Sequence, residues 1–565
     1  MKSQDDTASK KSNFINDLIN ADLESGRFDS RVQTRFPPEP NGYLHVGHAK
    51  AICVNFNISR EYSGVFNLRY DDTNPVTENT EFVDGIFEDL EWLLGETLER
   101  EPLHTSTYFD QLYMWAEKLI HDGKAYVDSQ DGDAISEQRG GFQKPGVNSP
   151  YRERGVEENL NLFRGMRSGK FSDGECVLRA KISMGHDNMN MRDPIMYRIR
   201  HENHYRTGDE WCIYPTYDWA HGQSDAIEKV THSLCSLEFD SHRELYDWFL
   251  DQLEIAGADR PYQTEFARLN FTHTVLSKRL LKHLVEQKVV DGWDDPRMPT
   301  LRGFRKRGYP ATAIRSFCEH IGVARTNGTH EIELLESFVR NDLNKASERK
   351  MAVLNPLLVT ITNWPEGHVE TRTAINNPED DSAGAREVPF SGSLFIERDD
   401  FMENPEPKYY RLAPGREVRL RYGYFITCTD VIKDDQGNPI EILCTYDPET
   451  SGGKAPDGRK VKATIHWVSA EHAIEGSVAL YERLFSSEHP GEETGEALDD
   501  VNLDSKTVLE GVKLEPSISD LPSGSVVQFE RLGYFHLDEE TPAFFHRTVG
   551  LRDEWANIVK RRKGS

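Results

Sequence analysis

One short segment, residues 32–56, constrains the fold of this chain more than any other. The alternation of apolar residues from Val32 to Phe36 is typical of a buried strand. Prolines and the Asn41-Gly42 pair then interrupt the strand, and two histidines on either side of Gly47 lead into apolar residues at helical spacing. A strand, a glycine-bearing loop and a helix N-terminus form a phosphate site, because free backbone N–H groups and the helix dipole point at the ligand. The segment therefore predicts a nucleotide-binding fold.

A second segment, Leu276-Ser277-Lys278-Arg279, precedes another run of apolar residues at helical spacing. Ser277 is a plausible N-terminal cap of that helix. Lys278 and Arg279 would place positive charge next to a triphosphate. We therefore expect residues 45–48 and 276–279 to share one cleft.

The order of predicted elements indicates a multidomain protein of the α/β and β classes. A strand at residues 64–70 and a helical pattern follow the first segment, and this βαβ order favours a Rossmann-like parallel sheet. Residues 111–214 are irregular and are predicted to form an insertion, whereas residues 276–350 favour a helical subdomain. Clean alternation at residues 418–428 and 461–467, between turns rich in Gly, Asp and Pro, predicts C-terminal antiparallel β-barrels.

Composition excludes two classes of protein. The 565 residues contain no apolar run of about 18, so no membrane-spanning helix is expected. The seven cysteines are scattered without a Cys-x-x-Cys pair, so neither a zinc site nor a disulfide framework is indicated, and a reducing cytoplasm fits. The first twelve residues are polar and unlike a targeting signal, so we expect a frayed tail and then a short helix from Phe14 to Leu23.

The net charge of −28, from 67 basic and 95 acidic residues, does not suggest an RNA-binding protein. Positive charge is nevertheless concentrated locally. Residues 276–350 carry 15 Lys or Arg and 10 Asp or Glu, and they include the run Arg302–Arg307, which could face RNA or only solvent. The run Lys560–Lys563 is also basic and is expected to fray. A local basic face on an acidic body can still bind a polyanion.

Three further segments, Phe36–Leu44, Tyr70–Pro75 and Trp293–Thr300, carry a resemblance to a known family. With His45-Val-Gly-His48 and Leu276-Ser-Lys-Arg279, they resemble the signatures of class I aminoacyl-tRNA synthetases, in the branch that uses glutamine or glutamate. The resemblance extends over the chain from the first predicted strand onward.

Within that branch, the segment Thr231–Phe239 and the β-rich C-terminal half resemble the bacterial glutaminyl type. The archaeal or eukaryotic glutamyl type, including a form that loads both tRNAs, is the nearest alternative, and a non-catalytic RNA-binding paralogue is an alternative of another class. The glutamyl type typically has arginine where this chain has Cys235. An arginine would pair with a γ-carboxylate, whereas a buried carboxylate without a partner is strongly disfavoured, so cysteine favours a neutral amide.

The resemblance implies an enzyme that activates L-glutamine with ATP to glutaminyl-adenylate and passes it to the terminal adenosine of tRNA(Gln). It implies ATP with Mg²⁺ as substrate, no zinc, and no covalent nucleophile, since the substrate carboxylate itself attacks the α-phosphorus. It further implies a cytoplasmic, monomeric protein that binds no membrane.

The resemblance also assigns roles to individual residues. Those expected to contact ATP are Glu39, Pro40, Asn41, His45, Val46, Gly47, His48, Ala49, Lys50, Ala51, Ser236, Arg268, Leu269, Leu276, Ser277 and Lys278. Those expected to bind glutamine are Asp71 at the α-ammonium, Arg35 at the α-carboxylate or in its surroundings, and Tyr217, Cys235 and Gln263. The expected catalytic donors are His45, His48 and Lys278, the expected tRNA contacts are Arg349 and Gln528, and no metal ligand is expected.

One position departs from the family pattern. Ser241 stands where family members commonly place an aspartate that contacts the acceptor stem, and the neighbouring Asp240 could take over this role. The expected domains are a tail and helix (1–28), the two halves of the catalytic domain (29–110 and 215–275), an acceptor-stem-binding insertion (111–214), a helical subdomain (276–350) and anticodon-binding β-barrels (351–565).

Overall fold

The computed structural model describes residues 13–141 and 143–564, with side chains described as far as residue 561. The tail expected at residues 1–12 lies outside the described residues. The chain divides into two units, Met1–Asn270 with Cys318–Thr329, and Phe271–Phe317 with His330–Ser565. The two signature segments around His45 and Lys278 therefore belong to different units.

The first unit alternates helices with short strands. Its helices are α1 (Phe14–Ser25), α2 (Val46–Glu61), α3 (Thr80–Leu94), α4 (Phe109–His121), α5 (Gly132–Arg139), α6 (Val156–Arg167), α7 (Tyr217–Ile227) and α8 (Arg243–Gln252). Its strands are β1 (Gln33–Phe36), β2 (Val65–Tyr70), β3 (Leu103–His104), β4 (Ala125–Asp128), β5 (Val177–Ala180), β6 (Ile195–Ile199), β7 (Ile213–Pro215), β8 (His232–Ser236) and β9 (Tyr262–Phe266).

Strands β1, β2 and β3 form a parallel sheet in that order, and β8 and β9 form a second parallel pair. The two parts adjoin where Thr231 N donates to Gln33 O over 3.0 Å. Every residue of β1 is buried, as expected for a strand covered on both faces. Such a sheet gathers the carboxyl ends of its strands at one edge, where ligands bind in folds of this type. The predicted Rossmann-like sheet is confirmed.

Helix α1 covers part of this sheet. Asn13 caps the helix by accepting hydrogen bonds from Ile15 N at 2.9 Å and Asn16 N at 3.2 Å. Ile15 and Ile19 are fully buried and pack against sheet residues such as Leu234. The predicted leading helix is confirmed.

An antiparallel sheet of β4, β5, β6 and β7, in that order, lies in the segment predicted to be an insertion. It packs on a hydrophobic core that α4 and α6 help to form through residues such as Leu112 and Phe163, and α7 and α8 contribute Trp219 and Phe249 to the same core. The segment predicted to be an insertion is therefore packed together with the helices that follow it.

The remaining helices and strands follow in chain order. The helices are α9 (Lys278–Glu286), α10 (Leu301–Lys306), α11 (Ala311–Ile321), α12 (Ile332–Ala346) and α13 (Glu554–Gly564). The strands are β10 (Leu269–Phe271), β11 (Gly328–His330), β12 (Arg349–Lys350), β13 (Ala352–Val353), β14 (Pro356–Ile361), β15 (Glu370–Ile375), β16 (Ala385–Phe390), β17 (Ser393–Glu397), β18 (Glu417–Leu420), β19 (Phe425–Lys433), β20 (Pro439–Asp447), β21 (Thr464–Ile465), β22 (Val468–Ser469), β23 (Ile474–Tyr481), β24 (Lys506–Leu514), β25 (Val526–Phe529), β26 (Gly533–Leu537) and β27 (Phe544–Gly550).

Two seven-stranded sheets dominate the second unit. One has the order β12-β25-β26-β27-β23-β24-β13 and the other β21-β18-β19-β20-β14-β17-β22. Most neighbouring strands are antiparallel, and the alternating residues Val418, Leu420, Ile426 and Cys428 are buried, so the predicted β-rich C-terminal half is confirmed. Four neighbouring pairs, including β12 with β25, are parallel, which the alternation alone could not reveal.

The C-terminal basic run and the described helices bear on two further predictions. The residues Lys560–Lys563 continue helix α13, contrary to the expectation that they fray. Among the described helices, none combines the length and apolar character needed to cross a bilayer.

Candidate active site

His45 and His48 cap the N-terminus of α2 through their own side chains. His45 Nδ1 accepts a hydrogen bond from Gly47 N at 3.1 Å, and His48 Nδ1 accepts one from His45 N at 3.1 Å. The two rings stack with centroids 3.8 Å apart. Because each Nδ1 is an acceptor, each neutral ring carries its proton on Nε2. Both histidines can therefore donate from Nε2 to an anion at the helix N-terminus.

Several of the other residues expected to contact ATP near this helix are buried. Val46 and Ala49 have fully buried side chains, and Lys50 is also buried. Val46 and Ala49 could therefore reach a nucleotide only through their backbone. Residues 39–41 form the loop before the helix, in which Asn41 N donates to Glu39 O at 2.9 Å.

Asp71 follows the last residue of β2, and one oxygen of its buried carboxyl group lacks a hydrogen bond within the described residues. Its Oδ1 is buried and has no hydrogen-bond partner among the described residues. Burial raises its pKa to about 7, and the neighbouring Glu39 and Asp72 add to the effect, while Arg69 opposes it. A cation that entered this site would remove the cost of ionising Asp71.

A second buried carboxyl group, Glu78, lies in the same acidic neighbourhood. Its Oε1 accepts from Asn74 N at 2.8 Å, but its Oε2 is buried without a hydrogen-bond partner among the described residues. Burial raises its pKa to about 9, with further contributions from Asp72 and Asp71. The site thus concentrates acidic groups where a positive charge would be stabilised.

A buried ionic network connects the two parts of the parallel sheet. Asp225 on α7 accepts from Arg35 Nε at 3.0 Å and from Arg69 Nη1 at 2.7 Å. Burial alone would raise the pKa of Asp225, but the two arginines outweigh burial and hold it well below its usual range. Arg35 is fully buried and also donates to Leu234 O and Ser233 Oγ, at 2.9 and 2.7 Å.

This network uses the donors of Arg35 within the protein: the guanidinium donates to Asp225, Leu234 and Ser233. The expected place of Arg35, at the α-carboxylate of the amino acid or in its surroundings, stays a prediction. The charges of Arg35 and Arg69 are balanced locally by Asp225 and by Glu228, whose Oε2 lies 3.3 Å from Arg69 Nη1.

Strands β8 and β9 form one wall of the site. Their parallel register pairs Ser233 with Gln263 and Cys235 with Glu265, so all four side chains lie on one face of the sheet. Burial raises the pKa of the Cys235 thiol to about 12, although Arg35 opposes this rise, so the thiol is neutral at physiological pH. The structure thus brings the predicted Cys235 and Gln263 together on one wall.

The amide of Gln263 has a fixed orientation. Its Nε2 donates to Phe239 O at 3.1 Å and to Glu265 Oε1 at 3.0 Å, so both amide protons are used. The carbonyl Oε1 is then the group that remains to pair with a ligand. Glu265 is held in turn by Arg243 Nη1 at 3.1 Å, and burial raises the pKa of Glu265 while these two contacts oppose the rise.

Tyr217, at the start of α7, contributes an aromatic surface. Its ring lies 4.7 Å from that of His221 and 5.1 Å from that of Phe239, measured between centroids. Burial raises its pKa well above the usual value, with Cys235 adding to the effect, so its hydroxyl keeps its proton. This hydroxyl has no hydrogen bond to another described residue.

The ends of β8 and β9 are linked by a carboxylate. Glu238 accepts from Ser236 Oγ at 3.2 Å and from Arg268 Nη1 at 2.5 Å. Two residues expected to contact ATP are therefore joined by a third that the sequence did not single out. Leu269, the next expected contact, is almost fully buried.

The remaining expected ATP contacts lie in the second unit. Ser277 occupies the N-cap position of α9, but its side chain makes no capping hydrogen bond, so the prediction that it caps the helix holds for position only. Leu276, Ser277 and Lys278 form the turn and first residue of α9. Their sharing of a cleft with His45 and His48 stays a prediction.

The expected tRNA contacts Arg349 and Gln528 are register partners of the parallel pair β12–β25. The guanidinium of Arg349 is buried, donating to Ser347 O at 2.6 Å and to Asn344 Oδ1 at 2.8 Å. Gln528 Nε2 donates to Tyr534 OH at 2.9 Å, and Tyr534 OH donates to Asn344 Oδ1 at 3.1 Å. Asn344 therefore links the two residues.

Ser241, at the position expected to contact the acceptor stem, accepts hydrogen bonds from residues of the predicted insertion. Ser241 Oγ accepts from Asn190 Nδ2 at 3.1 Å, and Ser241 O accepts from Asn188 Nδ2 at 2.8 Å. Asp240 is exposed and lies 3.3 Å from Arg243. Both residues are exposed, so the structure does not choose between these two candidate contacts.

Sequence reasoning missed Glu265, Glu238 and Glu78. Glu265 follows Gln263 at the spacing of two that places strand residues on one face, so strand periodicity could have identified it. Glu238 lies in a short 3₁₀-helix, Leu237–His242, and Glu78 lies in an irregular segment, so strand periodicity carries no signal for either residue.

Family profiles match most of this chain. The profile described as tRNA synthetases class I (E and Q), catalytic domain, matches residues 31–345. Two profiles described as tRNA synthetases class I (E and Q), anti-codon binding domain, match residues 347–447 and 464–538.

Curated relatives match it almost from end to end. A glutamine–tRNA ligase from Rhodopirellula baltica is 56% identical over 556 residues, which cover 97% of this chain and 91% of the relative. A glutamine–tRNA ligase from Pseudomonas putida is 54% identical and covers 96% of both chains. A solved glutamate-tRNA synthetase from Elizabethkingia anophelis aligns with 56% of this chain and 71% of its own, at 17% identity and a TM-score of 0.42.

Proposed function

The chain belongs to the class I (E and Q) family of tRNA synthetases, and we propose that it is a glutamine–tRNA ligase. It joins L-glutamine to ATP, forms glutaminyl-adenylate and pyrophosphate, and transfers the glutaminyl group to the terminal adenosine of tRNA(Gln). One observation carries the choice of amino acid: the wall formed by Cys235, Gln263 and Glu265 offers a neutral thiol, a fixed acceptor and a carboxyl group.

This wall distinguishes an amide from an acid by charge and by hydrogen bonding. The side-chain amide of glutamine can donate to Gln263 Oε1, whereas the γ-carboxylate of glutamate has no proton to donate. Glu265 would repel that carboxylate, and the nearby charge of Arg35 is already balanced by Asp225. A site built around a required hydrogen bond rejects the wrong ligand strongly, because its buried polar groups are left unpaired.

Asp71 suits the α-ammonium of the amino acid. An ammonium group would supply the partner that Asp71 Oδ1 lacks, and it would favour the ionised carboxylate. Tyr217 would cover the amino acid with its ring and present a protonated hydroxyl.

The N-terminus of α2 suits the phosphates of ATP. The two Nε2–H groups of His45 and His48 and the helix dipole together favour negative charge there. Mg²⁺ is part of the ATP substrate and would be held mainly by phosphate oxygens and water.

Catalysis then requires orientation and charge stabilisation rather than a covalent enzyme intermediate. The substrate α-carboxylate attacks the α-phosphorus, and pyrophosphate leaves with its electron pair. His45 and His48 would donate to the phosphate oxygens as charge builds on them, and Lys278 from the second unit would add a positive charge. Ser236, Glu238 and Arg268 would shape the opposite side of the nucleotide site.

The tRNA would contact both units. Arg349 and Gln528 would contact the edges of unstacked anticodon bases, as the resemblance implies. The Arg349 guanidinium is buried against Ser347 and Asn344, so it would have to exchange one of these partners for a base. We propose that the protein acts as a monomer in the cytoplasm, as members of its family usually do.

Aminoacylation of tRNA(Gln) with labelled glutamine and, separately, labelled glutamate tests this function. We expect product from glutamine and little from glutamate, and we expect ATP–pyrophosphate exchange to require tRNA. Efficient charging by glutamate would instead favour the glutamyl or dual type. Absence of exchange with intact tRNA binding would favour the non-catalytic paralogue.

A further inference from the structure

The first residue of helix α8, Arg243, reaches the wall of the candidate site from outside. Its Nη1 lies 3.1 Å from Glu265 Oε2, and its Nη2 lies 3.3 Å from Asp240 Oδ1. The Glu265 side chain is only 4% exposed, whereas that of Arg243 is 40% exposed. Within the described parts of the chain, no other cation lies within ion-pair distance of Glu265. Arg243 therefore supplies, from the solvent side, the charge that this buried carboxylate needs.

The helix itself does not account for an arginine at this position. The N-terminus of a helix carries partial positive charge, so a cation in the first turn is disfavoured. Helix α8 is held on the protein by the fully buried side chains of Leu245, Phe249 and Leu250. Of the two ion pairs of Arg243, the exposed one with Asp240 contributes little. The contact with Glu265 is thus the one that explains the residue.

Glu265 in turn decides which way the amide of Gln263 points. Gln263 Nε2 donates to Glu265 Oε1 at 3.0 Å and to Phe239 O at 3.1 Å, so both neighbours act as acceptors. An ionised carboxylate can only accept, which leaves Nε2 as the amide atom that fits between them. A protonated Glu265 could donate to the amide oxygen instead, and the amide could then turn over. The charge of Glu265 therefore keeps Gln263 Oε1 directed away from both neighbours.

The groups around Glu265 act on its charge in opposite directions. Burial raises its pKa and Asp240 adds to the rise, whereas Gln263 and Arg243 oppose it. Cys235, the register partner on β8, is a neutral thiol. Among the described residues, Arg243 is thus the cation that favours the ionised carboxylate. Without it, burial and Asp240 would be opposed mainly by the hydrogen bond from Gln263.

We propose that Arg243 is a positioning residue for amino-acid selection: it holds Glu265 ionised and in place, and Glu265 holds the Gln263 amide with its oxygen towards the substrate. Arg243 itself touches no substrate and acts only through these two residues. The inference rests on the proposed glutamine–tRNA ligase function and deepens it, because it names a residue outside the wall that sets the preference for an amide over an acid.

The variant Arg243→Gln tests this role. It changes a partly exposed residue to a good helix former, so the fold should be kept. Once Glu265 is no longer held, the Gln263 amide can turn over and present a donor, which no longer selects against glutamate. We expect glutamine kcat/KM to fall about tenfold, mainly through KM, and the ratio of glutamine to glutamate kcat/KM to fall further. Arg243→Lys keeps the charge on a single-point contact and should hold the ratio within about threefold of the wild type.

The ratio should also depend on pH in R243Q. More of Glu265 is protonated at lower pH, so the ratio should fall between about pH 8 and about pH 6 in the variant, and by less in the wild type. The titration of Asp71 cancels in this ratio, since both amino acids carry the same α-ammonium group. Equal pH slopes in the two proteins would overturn the inference.

A double-mutant cycle separates this role from a general effect on the helix. If Arg243 acts only through Glu265, adding R243Q to E265Q should change the ratio by less than about twofold. The control Arg260→Gln removes an arginine that pairs with Asp247 and Asp251 on the same helix, and it should leave the ratio unchanged.

Aminoacylation with labelled glutamine and labelled glutamate gives the ratio for each variant. An unchanged ratio in R243Q would overturn the inference, as would an additive effect of R243Q in the E265Q background or an equal loss in R260Q. Failure of the ligase function would appear separately, as absent glutaminylation by the wild-type protein.

Discussion

Cys235 on β8 and Glu265 on β9 are register partners in a parallel strand pair, so their side chains lie side by side on one face of the sheet. Burial raises the pKa of the Cys235 thiol to about 12, which keeps this position neutral. Glu265 also fixes the amide of Gln263, with Gln263 Nε2 donating to Glu265 Oε1 at 3.0 Å. In the proposed function, the pair would therefore act on the amino acid both by charge and by the orientation of a neighbouring amide.

Cys235→Arg is expected to damage glutamine use without creating a glutamate enzyme. The new guanidinium would lie beside Glu265 and pair with it, so its charge would not be available to a γ-carboxylate. We expect glutamine kcat/KM to fall at least about tenfold while glutamate remains a poor substrate. Steady-state aminoacylation with each labelled amino acid measures both values.

The double variant C235R/E265Q provides the matched comparison. With the carboxylate removed, the guanidinium is free to pair with glutamate, so glutamate kcat/KM should exceed that of the single variant by about tenfold or more. Cys235→Ser is neutral and similar in size, and it should stay close to the wild type. Wild-type glutamine kcat/KM in C235R would show that Cys235 does not face the substrate.

The sequence allowed the strands and helices around the candidate site to be predicted, because these elements have local signals. The strand, loop and helix of residues 32–56 follow from periodicity and turn residues, and Asp71 follows from its place at the end of a strand. Strand periodicity could have placed Glu265 on the same face as Gln263, but the proposed role of Glu265 also depends on its register with Cys235 on another strand, and register between distant strands has no local signal. Contacts of this kind require the structure.

The charge run Arg302–Arg307 illustrates the same limit. Its composition allowed either an RNA-facing or a solvated surface. In the structure Lys306 Nζ lies 2.7 Å from Asp294, and Arg307 Nε donates to Thr548 O at 3.2 Å. Part of the run therefore holds the second unit together, a role that depends on residues more than two hundred positions away.

Binding of glutamine is expected to depend on pH through Asp71. Its pKa in the free protein is raised to about 7, so the carboxylate that would hold the α-ammonium is lost as the pH falls through that value. The KM for glutamine should therefore rise below about pH 7, with kcat at saturating glutamine less affected. Aminoacylation measured across the pH range at several glutamine concentrations tests this, and a flat KM would contradict it.

Asp71→Asn should exchange activity for stability. A raised carboxyl pKa means that the folded protein binds a proton more tightly than the unfolded chain, so this group's contribution to stability is lost as the pH rises through about 7. The variant should melt at a higher temperature than the wild type at about pH 8, by a margin that shrinks towards about pH 5. Its glutamine kcat/KM should fall by about a hundredfold or more.

His45→Asn is expected to separate helix capping from phosphate binding. Asparagine is a strong N-cap and can replace His45 Nδ1 as the acceptor for the helix donors. It cannot replace the Nε2–H group as a donor in the same place. The free energy of unfolding should change by less than about 1 kcal/mol, while the rate of tRNA-dependent ATP–pyrophosphate exchange should fall about a hundredfold. If the exchange rate fell only as far as the loss of folded protein explains, the histidine would only cap the helix.

Lys278→Ala is expected to slow amino-acid activation and leave tRNA binding intact. The lysine is the first residue of α9, and its proposed task is to stabilise charge on the transferring phosphate. Exchange should fall by about two to four orders of magnitude, with Lys282→Ala on the same helix as the control. Filter binding of tRNA measures the second part, and unchanged turnover in K278A would contradict the role given to this lysine.

Asp225→Asn is expected to destabilise the protein and weaken its rejection of glutamate. Asp225 accepts from Arg35 and Arg69 at 3.0 and 2.7 Å inside the core, so a neutral amide leaves two buried guanidinium groups short of negative charge. Removing one partner of such a group costs about 3–5 kcal/mol. The pKa of Asp225 is held well below its usual range. The wild type therefore has this stabilisation above the pKa of Asp225 in the unfolded chain and loses it as the pH falls, whereas the variant should show no such loss. Denaturant unfolding across the pH range measures this effect.

The same variant should also change the selectivity for the amino acid. The unbalanced charge of Arg35 beside Cys235 should raise glutamate kcat/KM relative to glutamine kcat/KM, and paired aminoacylation assays measure this ratio.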